Sequence, residues 1–151
     1  MSAGYEKDVI LWSQEQAALL RSGQLTQLDI EHLADEIEDV GKSEKREFAN
    51  RMAVLLAHLL KWHHQPGRRQ EGGRSLRSWQ NTIRNQRERI ALAIKSTPSL
   101  RASLRDLDWQ RVAWLDAIEQ AAKETGLDEA DFGDACPWPM EQVLSPAWLP
   151  A

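Results

Sequence analysis

Apolar residues recur at steps of three and four along most of this chain, which is the period of an amphipathic α-helix. The pattern predicts five helices, over about residues 5–21, 26–40, 43–64, 75–95 and 98–125. No stretch shows the alternation of a half-buried β-strand, and no internal repeat is visible. The sequence therefore predicts an all-α fold, a single-domain bundle of about five helices.

Glycine and threonine residues predict where several of these helices begin and end. Gly23 is placed to stop the first helix in a left-handed conformation, and the fifth helix is expected to end at Gly126. Thr26 is placed to cap the second helix, and Gly41 is expected to end or bend it. Thr97 is expected to cap the fifth helix, because a proline follows it at the first helical position.

The third predicted helix is apolar on nearly all sides, which is typical of a central, mostly buried helix. Prolines after residue 126 exclude a long helix there, so a Pro-rich tail over residues 127–151 is expected to pack over a helical core of about residues 5–126. Together they form one predicted domain, residues 1–151. The apolar stripes of four helices supply the residues predicted to be buried: Leu33, Ile37, Leu55, Leu59, Trp62, Trp79, Ile83, Trp114 and Ile118.

The composition is that of an ordinary globular protein, with 151 residues, 42% of them hydrophobic and 28% charged. The single cysteine, Cys136, cannot form an internal disulfide, so nothing indicates an oxidising compartment. The first residues lack an apolar signal core, and no apolar run approaches the ~20 residues that span a bilayer. We therefore expect a cytoplasmic protein without a membrane partner.

Charge is strongly segregated along the chain, although the net charge is only −4. Residues 26–47 carry eight acids and three bases, whereas residues 61–89 carry eight bases and two acids. We expect the arginines of the second segment to neutralise acids of the first, either in the same chain or in a partner chain.

One histidine and two carboxylates share a stripe of the second predicted helix, because Asp29, His32 and Glu36 are three and four positions apart. An antiparallel arrangement of the second and third helices would bring His58 toward this stripe. Imidazole and carboxylate groups from facing helices can bind a transition metal, which makes His32, Glu36 and His58 a candidate metal site. The alternative is a structural network in which a carboxylate bonds a histidine. No other cofactor is indicated.

A basic patch follows the third helix. If it stays open, its arginines could contact phosphates and Trp79 could stack on a base, although Trp79 also belongs to an apolar stripe that predicts a core position. The patch consists of Arg68, Arg69, Arg74, Arg77, Arg84, Arg87 and Arg89.

Seven sequence blocks follow one another along the chain: YEKDVILW from Tyr5, LADEIEDVGKSEK from Leu33, LLAHLLKW from Leu55, SWQNTIRNQR from Ser78, TPSL from Thr97, ETGL from Glu124 and CPWPMEQVL from Cys136. In this order they resemble a bacterial family, domain-of-unknown-function family 29. The resemblance spans almost the whole chain. It implies an all-helical fold and, as the family name says, no assigned activity.

The sequence favours a non-enzymatic helical module that binds another protein, with a homodimer as one form of that interaction. Two alternatives stay open. The first is a metal-binding protein or metal-dependent enzyme using His32, Glu36 and His58. The second is a nucleic-acid binder that uses the arginines between Arg68 and Arg89.

Overall fold

The computed structural model describes residues 4–67 and 73–151, apart from the side chains of Arg74 and Ser75. These residues contain helices and no β-strand, so the predicted all-α fold is confirmed. None of the described helices has the length and apolar character needed to cross a membrane. The α-helices are α1 (Val9–Arg21), α2 (Ile30–His64), α3 (Arg74–Ser96), α4 (Leu107–Thr125) and α5 (Met140–Leu144), and shorter 3-10 helices cover Leu25–Gln27, Pro98–Arg105 and Glu129–Phe132.

The chain forms two compact units, Met1–Glu44 and Lys45–Ala151. The first unit contains α1 and the beginning of α2. The second contains the remainder of α2 and every later helix. The single-domain organisation of the chain stays a prediction.

Helix α1 begins later than predicted, at Val9 rather than near Tyr5, because the side chain of Asp8 caps it. The Asp8 carboxylate accepts a hydrogen bond from the backbone N–H of Leu11 at 3.0 Å. Such a cap satisfies an amide that has no partner within the helix. Beyond the other end, Gly23 adopts the predicted left-handed conformation, with φ of 76°.

Helix α2 is one continuous helix of 35 residues, which corrects two predicted boundaries. Thr26 does not cap it, since Thr26 lies in the preceding 3-10 helix. The residue before α2 is instead Asp29, whose carboxylate accepts from the backbone N–H of His32 at 3.5 Å. Gly41 neither ends the helix nor adopts a positive φ, so the predicted second and third helices are a single element. An interior glycine costs a helix only about 1 kcal/mol relative to alanine, which the neighbouring residues outweigh.

The later half of α2 is the centre of the second unit, as predicted. Met52, Leu55 and Leu59 are fully buried, and Phe48 is almost so. Their neighbours in the core come from α3, α4 and the tail. Seven of the nine predicted core residues are confirmed: Leu55, Leu59, Trp62, Trp79, Ile83, Trp114 and Ile118.

The other two predicted core residues, Leu33 and Ile37, lie on the first half of α2 and are not buried. Leu33 is half-buried, and Ile37 is 71% exposed. Their spacing does define an apolar face, with Ile30 and Val40 on it. The prediction is wrong because spacing identifies a face and does not identify what covers it.

The predicted fifth helix is two elements. Residues Pro98–Arg105 form a 3-10 helix, and α4 starts only at Leu107. Asp106 separates them, and its carboxylate accepts from the backbone N–H groups of Asp108 and Trp109 at 3.0 and 3.3 Å. Thr97 makes no capping hydrogen bond, so the cap predicted there is wrong. Gly126 ends α4 with φ of 77°, as predicted.

The Pro-rich tail is held to the helices of the second unit by Arg87 of α3. This side chain is 7% exposed, and its guanidinium donates to the backbone carbonyls of Val143, Pro146 and Trp148, at 2.8, 3.4 and 2.7 Å. Burial lowers the Arg87 pKa from its usual value. Phe132 is buried in the core as well. The tail thus packs as short turns, as its prolines predict.

The continuity of α2 at Gly41 can be tested by substitution with alanine. A Cβ at Gly41 would meet no atom within 4 Å. Gly41→Ala should therefore raise the free energy of unfolding by up to about 1 kcal/mol, through higher helix propensity. Gly126→Ala is the matched control, and it should lower that free energy by about 1 kcal/mol, because a left-handed φ disfavours a side chain. Urea unfolding followed by circular dichroism measures both. A destabilised Gly41→Ala variant would show that the helix ends at this residue.

The contrast between the two halves of α2 gives a second test. Leu59→Ala should cost about 2 to 5 kcal/mol of stability, because it opens a cavity in a packed core. Ile37→Ala should change stability by less than about 0.5 kcal/mol, since its side chain is already in water. Chemical denaturation of both variants compares them directly. A loss below about 1 kcal/mol for Leu59→Ala would contradict the central position of the second half.

Candidate interaction site

The candidate metal residues are not brought together by a pair of facing helices. The predicted site required two helices with a turn between positions 32 and 58, and both positions lie in the one continuous helix α2. His32 and Glu36 belong to the first unit and His58 to the second. In residues 4–67 and 73–151, no group of three or more His, Cys, Asp and Glu side chains is placed to hold a metal ion.

His32 instead belongs to a polar and aromatic cluster in the first unit, which we call the N-terminal cluster. Its members are Tyr5, Trp12, Asp29, His32 and Glu36. The Asp29 carboxylate accepts from His32 Nδ1 at 2.7 Å and from Trp12 Nε1 at 2.9 Å. The Tyr5 hydroxyl donates to the Glu36 carboxylate, and the Tyr5 ring stacks on His32 with centroids 4.2 Å apart. A carboxylate is therefore hydrogen-bonded to a histidine, as expected for the structural network that was the alternative to a metal site.

Gln16 joins α1 to the beginning of α2. Its side chain is 5% exposed, and its amide oxygen accepts from the backbone N–H of Asp29 at 2.8 Å. Trp12, one turn earlier on α1, is also buried and bonds the side chain of the same aspartate. Asp29 is thus held by two residues of α1, which determines how α1 packs beside α2 within this unit.

Hydrogen bonding in the N-terminal cluster shifts three pKa values. The bond to Glu36, together with burial and nearby acids, raises the pKa of Tyr5 to about 12. The bond to His32 lowers the pKa of Asp29, and the same bond raises the pKa of His32. Tyr5 consequently stays protonated and serves as a hydrogen-bond donor rather than as a base.

A groove of about 360 Å³ lies beside this cluster. Trp12 and Glu36 belong to both the cluster and the groove, and Gln16 also lines the groove. Its other walls are mainly aliphatic, so a ligand seated here would meet an apolar surface with a carboxylate at its edge. The groove is lined by Val9, Ile10, Trp12, Ser13, Gln16, Ala17, Leu20, Leu33 and Glu36.

Large aliphatic side chains next to this groove lie in water. On α2, Ile30, Ile37 and Val40 are 69%, 71% and 67% exposed. On α1, Ile10 is 69% and Leu20 50% exposed. Single exposed apolar residues are common on proteins, but a contiguous group of them marks an interaction surface. We call Ile30, Leu33, Ile37 and Val40 the apolar stripe of α2.

The first unit is also strongly acidic. Residues 1–44 contain ten acids and three bases, a net charge of −7, whereas residues 45–151 have a net charge of +3. Glu31, Asp35 and Glu38 are exposed on the same helix as the apolar stripe. A partner for this surface must therefore suit both apolar and negatively charged groups.

A second polar cluster, in the other unit, surrounds Lys61. This side chain is 8% exposed, and its ammonium group donates to the Glu124 carboxylate. It also lies 3.3 Å from His58 Nε2 and 5.9 Å from the Trp79 ring centroid. His58 Nδ1 donates to the Val54 carbonyl at 2.9 Å, and burial lowers the His58 pKa. His58 is thus neutral and engaged at both ring nitrogens, which is a structural arrangement.

The predicted basic patch is only partly open. Arg68 and Arg69 lie outside the described residues, as does the side chain of Arg74. Arg87 is buried against tail carbonyls and is not free to bind phosphate.

The three remaining arginines of the patch, Arg77, Arg84 and Arg89, are exposed. The ion pairs of the described residues include none of them. Arg77 and Arg84 are seven positions apart and share one face of α3, while Arg89 lies on another face. The predicted single basic stripe is therefore not formed by the described arginines. Their neutralisation by acids of a partner chain stays a prediction.

Sequence reasoning missed Tyr5, Trp12 and Gln16 of the first unit, and Lys61 and Glu124 of the second. Tyr5 and Glu36 are 31 positions apart, and Lys61 and Glu124 are 63 apart. No periodicity connects residues at such separations. The available signal was local: a lysine within an otherwise apolar helix needs a buried partner.

The pKa values of two histidines, His32 and His58, should be shifted in opposite directions, because only His32 is paired with Asp29. The folded-state pKa of His32 is raised, so the pair stabilises the fold below the ordinary histidine pKa, about 6.5, and this contribution is lost as pH rises through the raised value. The His58 pKa should lie below its ordinary value. NMR titration of the ring protons measures both, and Asp29→Asn should return only His32 toward the ordinary value. A His32 pKa at or below that of His58 would contradict the pairing.

Comparison with known proteins gives one match. No curated protein and no solved structure matches the chain. A family model described as Domain of unknown function DUF29 matches residues 4–149, a range that includes both polar clusters, the groove and the apolar stripe of α2. The chain therefore belongs to the family Domain of unknown function DUF29.

Proposed function

We propose that this chain is a non-enzymatic protein-interaction module whose first unit binds a basic amphipathic helix of a partner protein. The observation that carries the proposal is the exposure of Ile30, Ile37 and Val40 on one face of α2. Removing such a side chain from water contributes roughly 1.5 to 3 kcal/mol. Covering three such side chains offsets part of the free energy that association costs through lost translational and rotational freedom. Any binding surface has to offset this cost.

The shape of the surface supports a helical partner. The apolar stripe of α2 continues into a groove through Leu33, which lines it. A helix presents side chains at steps of three and four, and those side chains can insert into a groove between two other helices. The groove edge is firm because Gln16 and Trp12 are both bonded to Asp29.

The charge of the first unit supports a basic partner. Its net charge of −7 attracts lysine and arginine side chains, and it speeds their diffusional encounter at low salt. The same charge opposes pairing of this surface with its own copy, since both copies would bring the same acids to the contact. A different protein is therefore the proposed partner, in preference to a homodimer through this surface.

We also place the protein in the cytoplasm. The support is chemical: the chain has one cysteine, Cys136, whose thiol is free and half-buried. Burial raises the pKa of this thiol, so it is mainly protonated and resists oxidation.

The proposal predicts charge-selective and stripe-dependent binding of a model helix. The probe is a fluorescent amphipathic peptide of leucine and lysine, about 15 residues long so that it can form a helix. We expect binding by fluorescence anisotropy that weakens between about 0.05 and about 0.5 M salt. The matched leucine and glutamate peptide should not bind. Ile37→Ser with Val40→Ser should weaken binding by about tenfold or more, because both anchors become polar.

The control variant is Val112→Ser with Leu115→Ser, which changes two exposed aliphatic residues of α4 and should leave binding unchanged. Equal binding of the two peptides would overturn the basic partner. An equal loss of peptide binding in the stripe variant and in the control variant would overturn the assignment of binding to the apolar stripe of α2. Light scattering adds a further test, since a dimer that dissociates in the Ile37→Ser, Val40→Ser variant would assign the surface to self-association instead.

A further inference from the structure

A cavity of about 590 Å³ lies in the second unit, apart from every residue used in the proposed interaction. The 3-10 helix Pro98–Arg105 and the first turns of α4 form one side of its lining. The tail, from Asp134 to Glu141, forms the remainder. Small-molecule sites commonly have volumes of about 300 to 1,000 Å³, so this cavity is in the range of a ligand site.

The apolar part of the lining consists mainly of Leu104, Trp114, Trp138 and Met140. Two of its polar groups already have partners. Trp114 Nε1 donates to the Gly133 carbonyl at 3.1 Å, and the Cys136 thiol contacts the Trp138 carbonyl at 3.4 Å. A ligand in contact with these two groups gains no hydrogen bond from them, which favours an apolar ligand body.

The lining also contains four charged residues, and they divide by sign between its two sides. Arg105 and Arg111 come from the helical side, and Asp134 and Glu141 from the tail. All four are exposed. None of them takes part in an ion pair among the described residues, so the two signs stay separate at one apolar cavity.

We propose that this cavity binds a small amphipathic zwitterion, namely an amino acid or short peptide with large apolar side chains and free termini. The carboxylate of such a ligand pairs with Arg105 and Arg111, for which the guanidinium group is well suited. Its ammonium group pairs with Asp134 and Glu141. Its apolar side chains cover Trp114 and Trp138, whose rings provide most of the contact area.

Four versions of one dipeptide test the proposal, because they share an apolar body and differ only in charge. The probes are Leu-Phe with free termini, its N-acetyl form, its C-terminal amide, and the form blocked at both ends. Calorimetry on the full chain should rank the free dipeptide tightest and the doubly blocked form weakest. Each lost charge should weaken binding by about two- to fivefold, the range for exposed ion pairs. In NMR spectra, the indole N–H signals of Trp114 and Trp138 should move, and that of Trp12 should not.

Two double variants test which charged residues of the cavity bind each terminus of the dipeptide. Arg105→Ala with Arg111→Ala should remove the preference for a free carboxylate and keep the preference for a free amine. Asp134→Ala with Glu141→Ala should do the reverse. Arg101→Ala is the control, since Arg101 is an exposed arginine of the same 3-10 helix that does not line the cavity. Equal affinity for all four probes, no binding of any of them, or indole shifts confined to tryptophans outside the cavity would each overturn the proposal. None of these outcomes bears on the peptide-helix test of the first unit.

Discussion

The unbroken hydrogen-bond ladder of α2 is the constraint on which the rest of the structure depends. The two halves of this continuous helix belong to different units, and each half has its own neighbours. The later half has them: Met52 and Leu59 are completely buried among α3, α4 and the tail. The earlier half has α1 and the N-terminal cluster beside it, which shelter Leu33 partly and leave Ile37 in water. One helix therefore serves as a core element in one unit and as a surface element in the other.

The acidic character of the first unit follows the same division. Like charges on an exposed helix repel one another, which makes a dense group of acids tolerable only where water screens them. The N-terminal cluster engages two carboxylates, Asp29 through His32 and Trp12, and Glu36 through Tyr5. Glu31, Asp35 and Glu38 stay exposed. The surface that keeps apolar side chains in water thus keeps its charges available as well, and this combination is what favours a basic amphipathic partner over a neutral one.

Sequence patterns correctly predicted the features of the fold that depend on residues close together in the chain. Gly23 adopts a left-handed conformation and Gly126 ends α4, both as expected, and the apolar positions of α3 predicted Trp79 and Ile83 in the core. Gly41 was misjudged because a glycine permits a helix end without requiring one. The contacts of Tyr5 with Glu36 and of Lys61 with Glu124 were beyond sequence reasoning, since they depend on how distant segments pack. Of the candidate site residues, His32 and Glu36 do share a cluster, but its aromatic members, Tyr5 and Trp12, precede α2 in the sequence.

Two of the four histidines of α2, His32 and His58, show how polar residues of this chain serve its fold. The Nδ1 of His58 donates to the Val54 carbonyl and its Nε2 faces Lys61, so no lone pair is left for a ligand. His32 is held by Asp29, whose other contacts are Trp12 and Gln16. Replacing Asp29 with an apolar residue would leave the donor Nε1 of the buried Trp12 without its partner, which is costly. No comparable bond holds Ile37 or Val40, whose side chains lose only water when a partner covers them. The histidines and carboxylates that the sequence suggested as metal ligands thus form structural hydrogen bonds. Residues predicted to lie in the core form part of the surface proposed for binding.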